Sequence, residues 1–315
     1  MKTISIIIPC YNEEHNIMPL YNSIKDVTAT ISNYKWELLF IDDGSQDNTL
    51  SILKQLNFKD NNCHYISFSR NFGKEESMLA GLDNAKGDCV VIMDADLQHP
   101  AEVIPMMINE WEDGYDDVYA YRESRGKESY IRKQLSLLYY KMLQKISKTD
   151  ILPNVGDFRL LDRKCVDALK SMRETQRYTK GLYCWIGFKK KGVSFKQHDR
   201  INGKSSFNYF KLLNLAIEGI TSYTVTPLKI STLLGILSSI TSFIYMIYVF
   251  IKTILFGEEV QGFPTIIIII LFLGGIQLIS LGIIGEYLGR IFNERKGCPN
   301  YIIRVKHYLL FLFLI

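Results

Sequence analysis

Two carboxylates and an amide on alternate residues, Asp94-Ala95-Asp96-Leu97-Gln98, directly follow the apolar run Cys89-Val90-Val91-Ile92-Met93. Beyond the end of a buried strand both aspartates can reach one ion, with Gln98 as a third oxygen and Pro100 turning the chain away. A hard cation, Mg2+ or Mn2+, takes such ligands and keeps positions open for phosphate oxygens. The alternative is a solvated turn. Asp42-Asp43-Gly44-Ser45 ends a second apolar run, Trp36–Ile41, and suits a ribose hydroxyl or a base edge, while Ser45 or Asp47 can equally cap the next helix. Pro9, Tyr11 and Glu13 follow a third run, Ile4–Ile8, where an aromatic ring and a carboxylate can meet a base.

The elements that must hold these groups alternate. Strands are read at Ile4–Ile8, Trp36–Ile41, His64–Phe68 and Cys89–Met93. Between them lie helical patterns through Ile17, Leu20, Tyr21 and Ile24, over Asp47–Leu56, and through Met78, Leu79 and Leu82. Alternation of this kind predicts an α/β fold with a mostly parallel, Rossmann-like sheet, which binds ligands beyond the carboxyl ends of its strands. Tyr11-Asn12-Glu13, Asp42-Asp43, Arg70–Lys74 and Asp94–Gln98 all fall at such ends. A helix over Ala101–Glu112, a strand at Asp117–Tyr121 and an amphipathic helix over Tyr130–Ile146 follow. Asn154–Leu161 then reads as a turn into a strand carrying Asp157 and Arg159, charges that a core strand lacks. Asp157 has three readings: a proton acceptor, a group orienting Arg159, or a buried partner of Arg159 or Arg177. Arg122, Arg132 and Lys133 flank the amphipathic helix, and arginine pairs bidentately with phosphate, although surface solubility also explains them.

The chain of 315 residues has two physical regimes. A catalytic domain is expected over 1–205 and an interfacial amphipathic helix over 206–227. Two transmembrane helices, about 230–251 and 263–285, are expected within 228–290, and a tail over 291–315. Lys211, Lys229, Arg290, Arg295 and Lys296 flank the apolar region on its outer sides, which places both ends and the catalytic domain in the cytoplasm of a multi-pass membrane protein. The net charge of +4 is too small to suggest nucleic acid, and the basic cluster from Lys189 to Lys211 suits an anionic membrane surface. Arg200 and Lys204 lie where a loop can close over a diphosphate. The six scattered cysteines form no C-x-x-C pair and are read as reduced thiols, without zinc. Gly274, Gly275 and Gly282 are compatible with a homo-oligomer.

Ile6-Ile7-Ile8-Pro9-Cys10-Tyr11-Asn12-Glu13-Glu14, Asp42-Asp43-Gly44-Ser45 and Met93-Asp94-Ala95-Asp96-Leu97-Gln98 resemble the family 2 glycosyltransferases of GT-A fold. Ser69-Arg70-Asn71-Phe72-Gly73-Lys74-Glu75, Val155–Leu160, Gly203-Lys204-Ser205-Ser206-Phe207 and Gly285–Arg290 resemble the polyprenyl-phosphate branch of that family, which includes bactoprenol glucosyltransferases and dolichyl-phosphate mannose synthases. The likeness runs from about residue 4 to about 303. His99 stands where the family has a further aspartate, Ser205-Ser206 where many members have Ser-Lys, and the apolar end after Lys306 is atypical.

The resemblance implies inverting transfer of one sugar from a nucleotide sugar, UDP-glucose as first choice, to undecaprenyl or another polyprenyl phosphate. It implies nucleotide-sugar contacts at Pro9, Tyr11, Asn12, Glu13, Asp42, Asp43, Lys74 and Asp94, and metal contacts at Asp94, Asp96 and Gln98. Acceptor-phosphate contacts are implied at Arg122, Arg132, Ser136, Arg159, Arg200 and Lys204. Catalytic roles fall to Asp157, Asp94 and Asp96. A processive polysaccharide synthase is the competing expectation, but Gln176-Arg177-Tyr178 is not its Q-x-x-R-W motif. A soluble-acceptor enzyme and an inactive membrane scaffold are further alternatives.

Overall fold

The computed structural model describes residues 1–122, 155–175, 177–195, 226–256 and 262–307. The first unit is organised by β1 (Thr3–Cys10), in which Ile4, Ile6, Ile7 and Ile8 are fully buried. A strand apolar on both faces belongs in the middle of a covered parallel sheet. Burying each isoleucine there contributes about 2 kcal/mol. After β1 come α1 (Ile17–Thr30), β2 (Lys35–Asp42), α2 (Thr49–Lys59), β3 (Cys63–Phe68), α3 (Lys74–Asn84) and β4 (Cys89–Ile92). The four strands pair in parallel in the order β3-β2-β1-β4. Cys10 lies level with Asp42, and Ile7 with Ile92, so the loops after β1, β2 and β4 open on one edge.

The sheet is more mixed than the alternation alone predicts. A short 3-10 turn (Ala101–Val103) and α4 (Ile104–Glu112) lead to β5 (Asp117–Arg122). Then β6 (Val155–Asp162) lies antiparallel between β4 and β5, α5 (Arg163–Ser171) and α6 (Thr179–Trp185) follow, and β7 (Lys190–Phe195) runs parallel to β5 at the edge. The amphipathic helix expected over 130–146 and residues 206–225 of the interfacial helix expected over 206–227, with Arg132, Ser136, Arg200 and Lys204, lie outside the described residues.

The second unit is a pair of helices packed on each other, α7 (Thr226–Phe256, 31 residues) and α8 (Phe263–Arg295, 33 residues). Among the described residues one stretch, Phe272–Arg295, is long and apolar enough to cross a membrane; it lies within α8, which starts at Phe263. Lys252, just beyond the helix expected over 230–251, belongs to α7.

After α8 the chain comes back to the first unit. Residues 291–315, expected as a tail, contain β8 (Ile303–His307), which pairs antiparallel with β3 and completes an eight-stranded sheet.

Candidate active site

The loops at the carboxyl edge are tied to one another by side chains. Asn12, in the left-handed region at φ 55°, accepts from Gln46 N at 2.8 Å, and its own N–H donates to Ser45 Oγ at 3.0 Å. Asp42 is buried and accepts from Ser45 N at 3.0 Å and Ser67 Oγ at 2.6 Å. Asp43 accepts from Phe72 N at 2.7 Å and Gly73 N at 2.9 Å, drawing the β3–α3 loop against the β2–α2 loop. The approach is close: a Cβ on Gly44, at φ +67°, would lie 2.5 Å from the Arg70 carbonyl carbon.

These ties enclose a cleft of about 380 Å³ lined by Pro9, Cys10, Tyr11, Glu13, Asp43, Asn71, Gly73, Lys74, Ser77, Asp94, Ala95 and Asp96. Six of the eight expected nucleotide-sugar residues line it: Pro9, Tyr11, Glu13, Asp43, Lys74 and Asp94. Asn12 and Asp42 do not. Asp42, at a buried strand end, has one carboxylate oxygen on Ser45 in the following loop and the other on Ser67 in β3, so it braces the wall of the cleft.

Antiparallel pairing puts Ile92 opposite Arg159, so Asp94, two residues on, comes level with Asp157, two residues back. Lys74, the first residue of α3, fills the space between them, with Nζ 2.6 Å from Asp94 Oδ1 and 2.9 Å from Asp157 Oδ2. Burial works against the ammonium charge, but the two carboxylates outweigh it and raise the Lys74 pKa. At Asp157 burial alone would favour the neutral acid, and the charges of Lys74, Lys180 and Arg159 reverse this, holding the carboxyl at about 2. Asp157 is therefore an anion at neutral pH, and its buried Oδ1 has no hydrogen-bond partner among the described residues.

Leu97, at φ 62°, and a 3.2 Å bond from Gln98 N to Asp96 Oδ1 shape the turn after β4. No group of three His, Cys, Asp or Glu side chains converges on a metal position among the described residues. Glu13 nonetheless feels both aspartates: burial, then the charges of Asp96 and Asp94, raise its carboxyl above the usual range. An acid-rich mouth with only two carboxylates at its centre fits a cation that completes its shell with substrate phosphates and water.

His99 does different work from the aspartate it replaces. It is buried, its Nδ1 accepts from Asp94 N at 3.1 Å, and its ring stacks on Phe158 at 4.7 Å and meets Phe195 edge-on at 6.0 Å. Burial, with the charges of Lys74 and Arg122 adding, holds it neutral against the pull of Asp94. His99→Phe keeps a ring and deletes the acceptor, leaving the Asp94 N–H unpaired at about 1–2 kcal/mol. Transfer is expected to fall about tenfold, with His99→Asn within about threefold of wild type, as read by initial rates.

Arg159, expected at an acceptor phosphate, is turned inward. It is 4% exposed, NH1 binds both oxygens of the equally buried Asp117 at 3.1 and 3.0 Å, and its guanidinium lies 3.5 Å from the centre of the Tyr183 ring. Arg122 ends β5 within electrostatic reach of His99.

Glu75, the last residue of the Ser69–Glu75 motif, carries no signal of its own in the sequence. Burial, with the Asp157 charge beside it, pushes its carboxyl up to about 8, and Thr179 donates to it through both N and Oγ1. A carboxyl raised in the fold favours folding at low pH, and that stability is lost as pH rises from about 4.5 through about 8. Thermal melts of wild type are expected to fall across this window, and Glu75→Gln is expected to flatten the fall.

Sequence comparison supplies the family. The glycosyl transferase family 2 profile matches residues 5–170, the segment that carries every loop of the cleft. The chain belongs to glycosyltransferase family 2. Residues 226–291 match a second family profile, the GtrB C-terminal hairpin. A relative from Bacillus subtilis (strain 168), named "Putative glycosyltransferase CsbB", is 46% identical over 96% of this chain and 91% of its own length. A bactoprenol glucosyl transferase from Shigella phage SfII is 42% identical over 96% of this chain and 98% of its own. Among solved structures, a glucosyl-3-phosphoglycerate synthase from Mycobacterium tuberculosis with Mn2+, UDP-glucose and phosphoglyceric acid covers 74% of this chain and 79% of its own, at TM-score 0.47 and 18% identity.

Proposed function

We propose that this glycosyltransferase moves a single glucose from UDP-glucose to undecaprenyl or a related polyprenyl phosphate, with inversion, at the cytoplasmic face of a membrane. The observation that carries this reading is Lys74 bridging Asp94 and Asp157 at the floor of the cleft. The Asp94 side suits a cation-bound diphosphate, and the Asp157 side suits an acceptor already ionised at neutral pH. The full-length likeness to a bactoprenol glucosyl transferase supports the lipid acceptor and the sugar.

Asp94 and Asp96, with Gln98 as a further oxygen donor, would hold Mg2+ or Mn2+, which when bound offsets the charge that develops on the departing diphosphate. Pro9 and Tyr11 border the base, and Glu13 and Asn71 narrow the cleft around the nucleotide. The Lys74 ammonium at the start of α3 adds a positive charge where the phosphates lie. Asp157 keeps that ammonium charged and in place. Arg122, Arg132, Ser136, Arg200 and Lys204 are assigned to the acceptor phosphate.

Chain topology supports two crossings by the helical hairpin. β7 and β8 belong to one sheet and so to one compartment, which requires an even number of crossings between Phe195 and Ile303. On this reading α7 supplies the second crossing, beside the one offered by Phe272–Arg295. Basic flanks on the outer sides favour the cytoplasm for both ends.

The test incubates membranes carrying the protein with a panel of labelled nucleotide sugars and undecaprenyl phosphate, with and without EDTA. UDP-glucose is expected to label the lipid fraction, and EDTA to abolish the labelling. Transfer that survives EDTA would overturn the role of the cation, and failure with every lipid phosphate would overturn the acceptor.

A further inference from the structure

The segment returning from the hairpin does more than close the sheet. Tyr301 stacks on Phe68, the last residue of β3, with ring centroids 5.1 Å apart and planes 15° from parallel. Phe68 in turn meets Phe72 edge-on at 5.7 Å, inside the loop that runs into Gly73 and Lys74. Pairing with β3 extends into that loop, where Ser69 N donates to Ile302 O at 3.0 Å.

The same segment grips the far end of α3. Tyr301 OH donates to Asp83 Oδ2 at 2.7 Å, and Arg173 holds both oxygens of Asp83 at 2.7 Å. Lys306 Nζ donates to Asn84 Oδ1 at 2.7 Å. One short stretch of chain thus holds the far end of the helix that carries Lys74 directly and reaches the loop before its first turn through Phe68 and Ser69.

We infer that residues 299–307 are a positioning element of the active site, with Tyr301 fixing the loop and helix that present Asn71, Gly73 and Lys74 to the nucleotide diphosphate; this rests on the assignment of the cleft to a nucleotide sugar. The tie is one-sided. Through Phe68 and Phe72 it reaches the β3–α3 loop on the nucleotide side of the cleft. Among the described residues the ring contact and the hydrogen bond of Tyr301 go to Phe68 and Asp83, not to β6, which carries Asp157. Loosening it lets Lys74 and the loop amides wander, which weakens binding of the diphosphate before it touches the acceptor.

The experiment compares Tyr301→Ala and Tyr301→Phe with wild type in full-length protein, varying UDP-glucose and undecaprenyl phosphate in turn, and measures binding of UDP with Mn2+ by calorimetry. Tyr301→Ala is expected to raise KM for UDP-glucose and the Kd for UDP about tenfold while leaving KM for undecaprenyl phosphate within twofold. Tyr301→Phe, which keeps the stack and loses the bond to Asp83, is expected within about threefold of wild type throughout. A variant that only accumulates less folded protein lowers Vmax and leaves both KM values unchanged, and that result overturns the inference, as does an equal rise in both. If Tyr301→Ala does not accumulate, Phe72→Leu breaks the relay from the loop side and must show the same split. Wild type that binds UDP but labels no lipid phosphate overturns the acceptor assignment alone, and the UDP Kd of the variants still decides the role of Tyr301.

Discussion

Asp94→Asn is expected to lower transfer to lipid phosphate by about 10²–10³-fold at saturating substrates, the usual loss when one charge-stabilising contact is removed from a transition state. The substitution preserves shape and removes one negative charge. That charge has two jobs in this geometry: it faces the mouth shared with Asp96 and Glu13, and it holds the Lys74 ammonium at 2.6 Å. Asp96→Asn separates them, since Lys74 has no ion pair to Asp96. Equal losses in the two variants, with EDTA taking wild type to the same floor, identify the lost cation as the common cause. A much smaller loss in Asp96→Asn assigns most of the effect to Lys74. Retention of more than about a tenth of the wild-type rate in Asp94→Asn would refute a catalytic role for this carboxylate.

The parts of the fold legible in the sequence are those whose signal is local. Ile4–Ile8 and Cys89–Met93 read as buried parallel strands because they are apolar without alternation, and motifs at their ends then share an edge by rule. The loop bonds of Asp42 and Asp43 are not legible in the sequence, because a carboxylate after a strand can face a ligand, a neighbouring element or both: Asp42 binds Ser45 and Ser67, while Asp43 binds Phe72 and Gly73 and still lines the cleft. Arg159 was misplaced for a related reason. Its partner Asp117 lies on β5, and no spacing rule links two strands that meet only in the folded sheet. β8 was the hardest element to read. It is five residues long, mostly exposed, and follows an apolar hairpin, while its partner β3 lies early in the chain. His99, recognised only as a departure from the family pattern, acquires a role once its Nδ1 is seen against the Asp94 N–H.

Lys74→Met and Asp157→Asn are each expected to lower transfer by about 10²–10³-fold, and the double variant is expected to be no slower than the worse of the two. Residues that act independently multiply their losses, whereas members of one unit do not. Here the unit is explicit: Asp157 Oδ2 is 2.9 Å from Lys74 Nζ, and that ammonium is the strongest of the charges holding the Asp157 carboxyl down at about 2 against its burial. A carboxylate with so low a pKa is a weak proton acceptor, and a phosphate monoester with a second pKa of about 6 needs little help to present an anionic oxygen. The acid limb of the wild-type rate profile is therefore expected near pH 6, set by the acceptor, and Asp157→Asn is expected to lower the whole profile without moving that limb. A general base at position 157 predicts the opposite, a limb that disappears in the variant and a double loss larger than either single one. Rates from pH 5 to 9 for the four proteins of the cycle decide between a base and an anchor for Lys74.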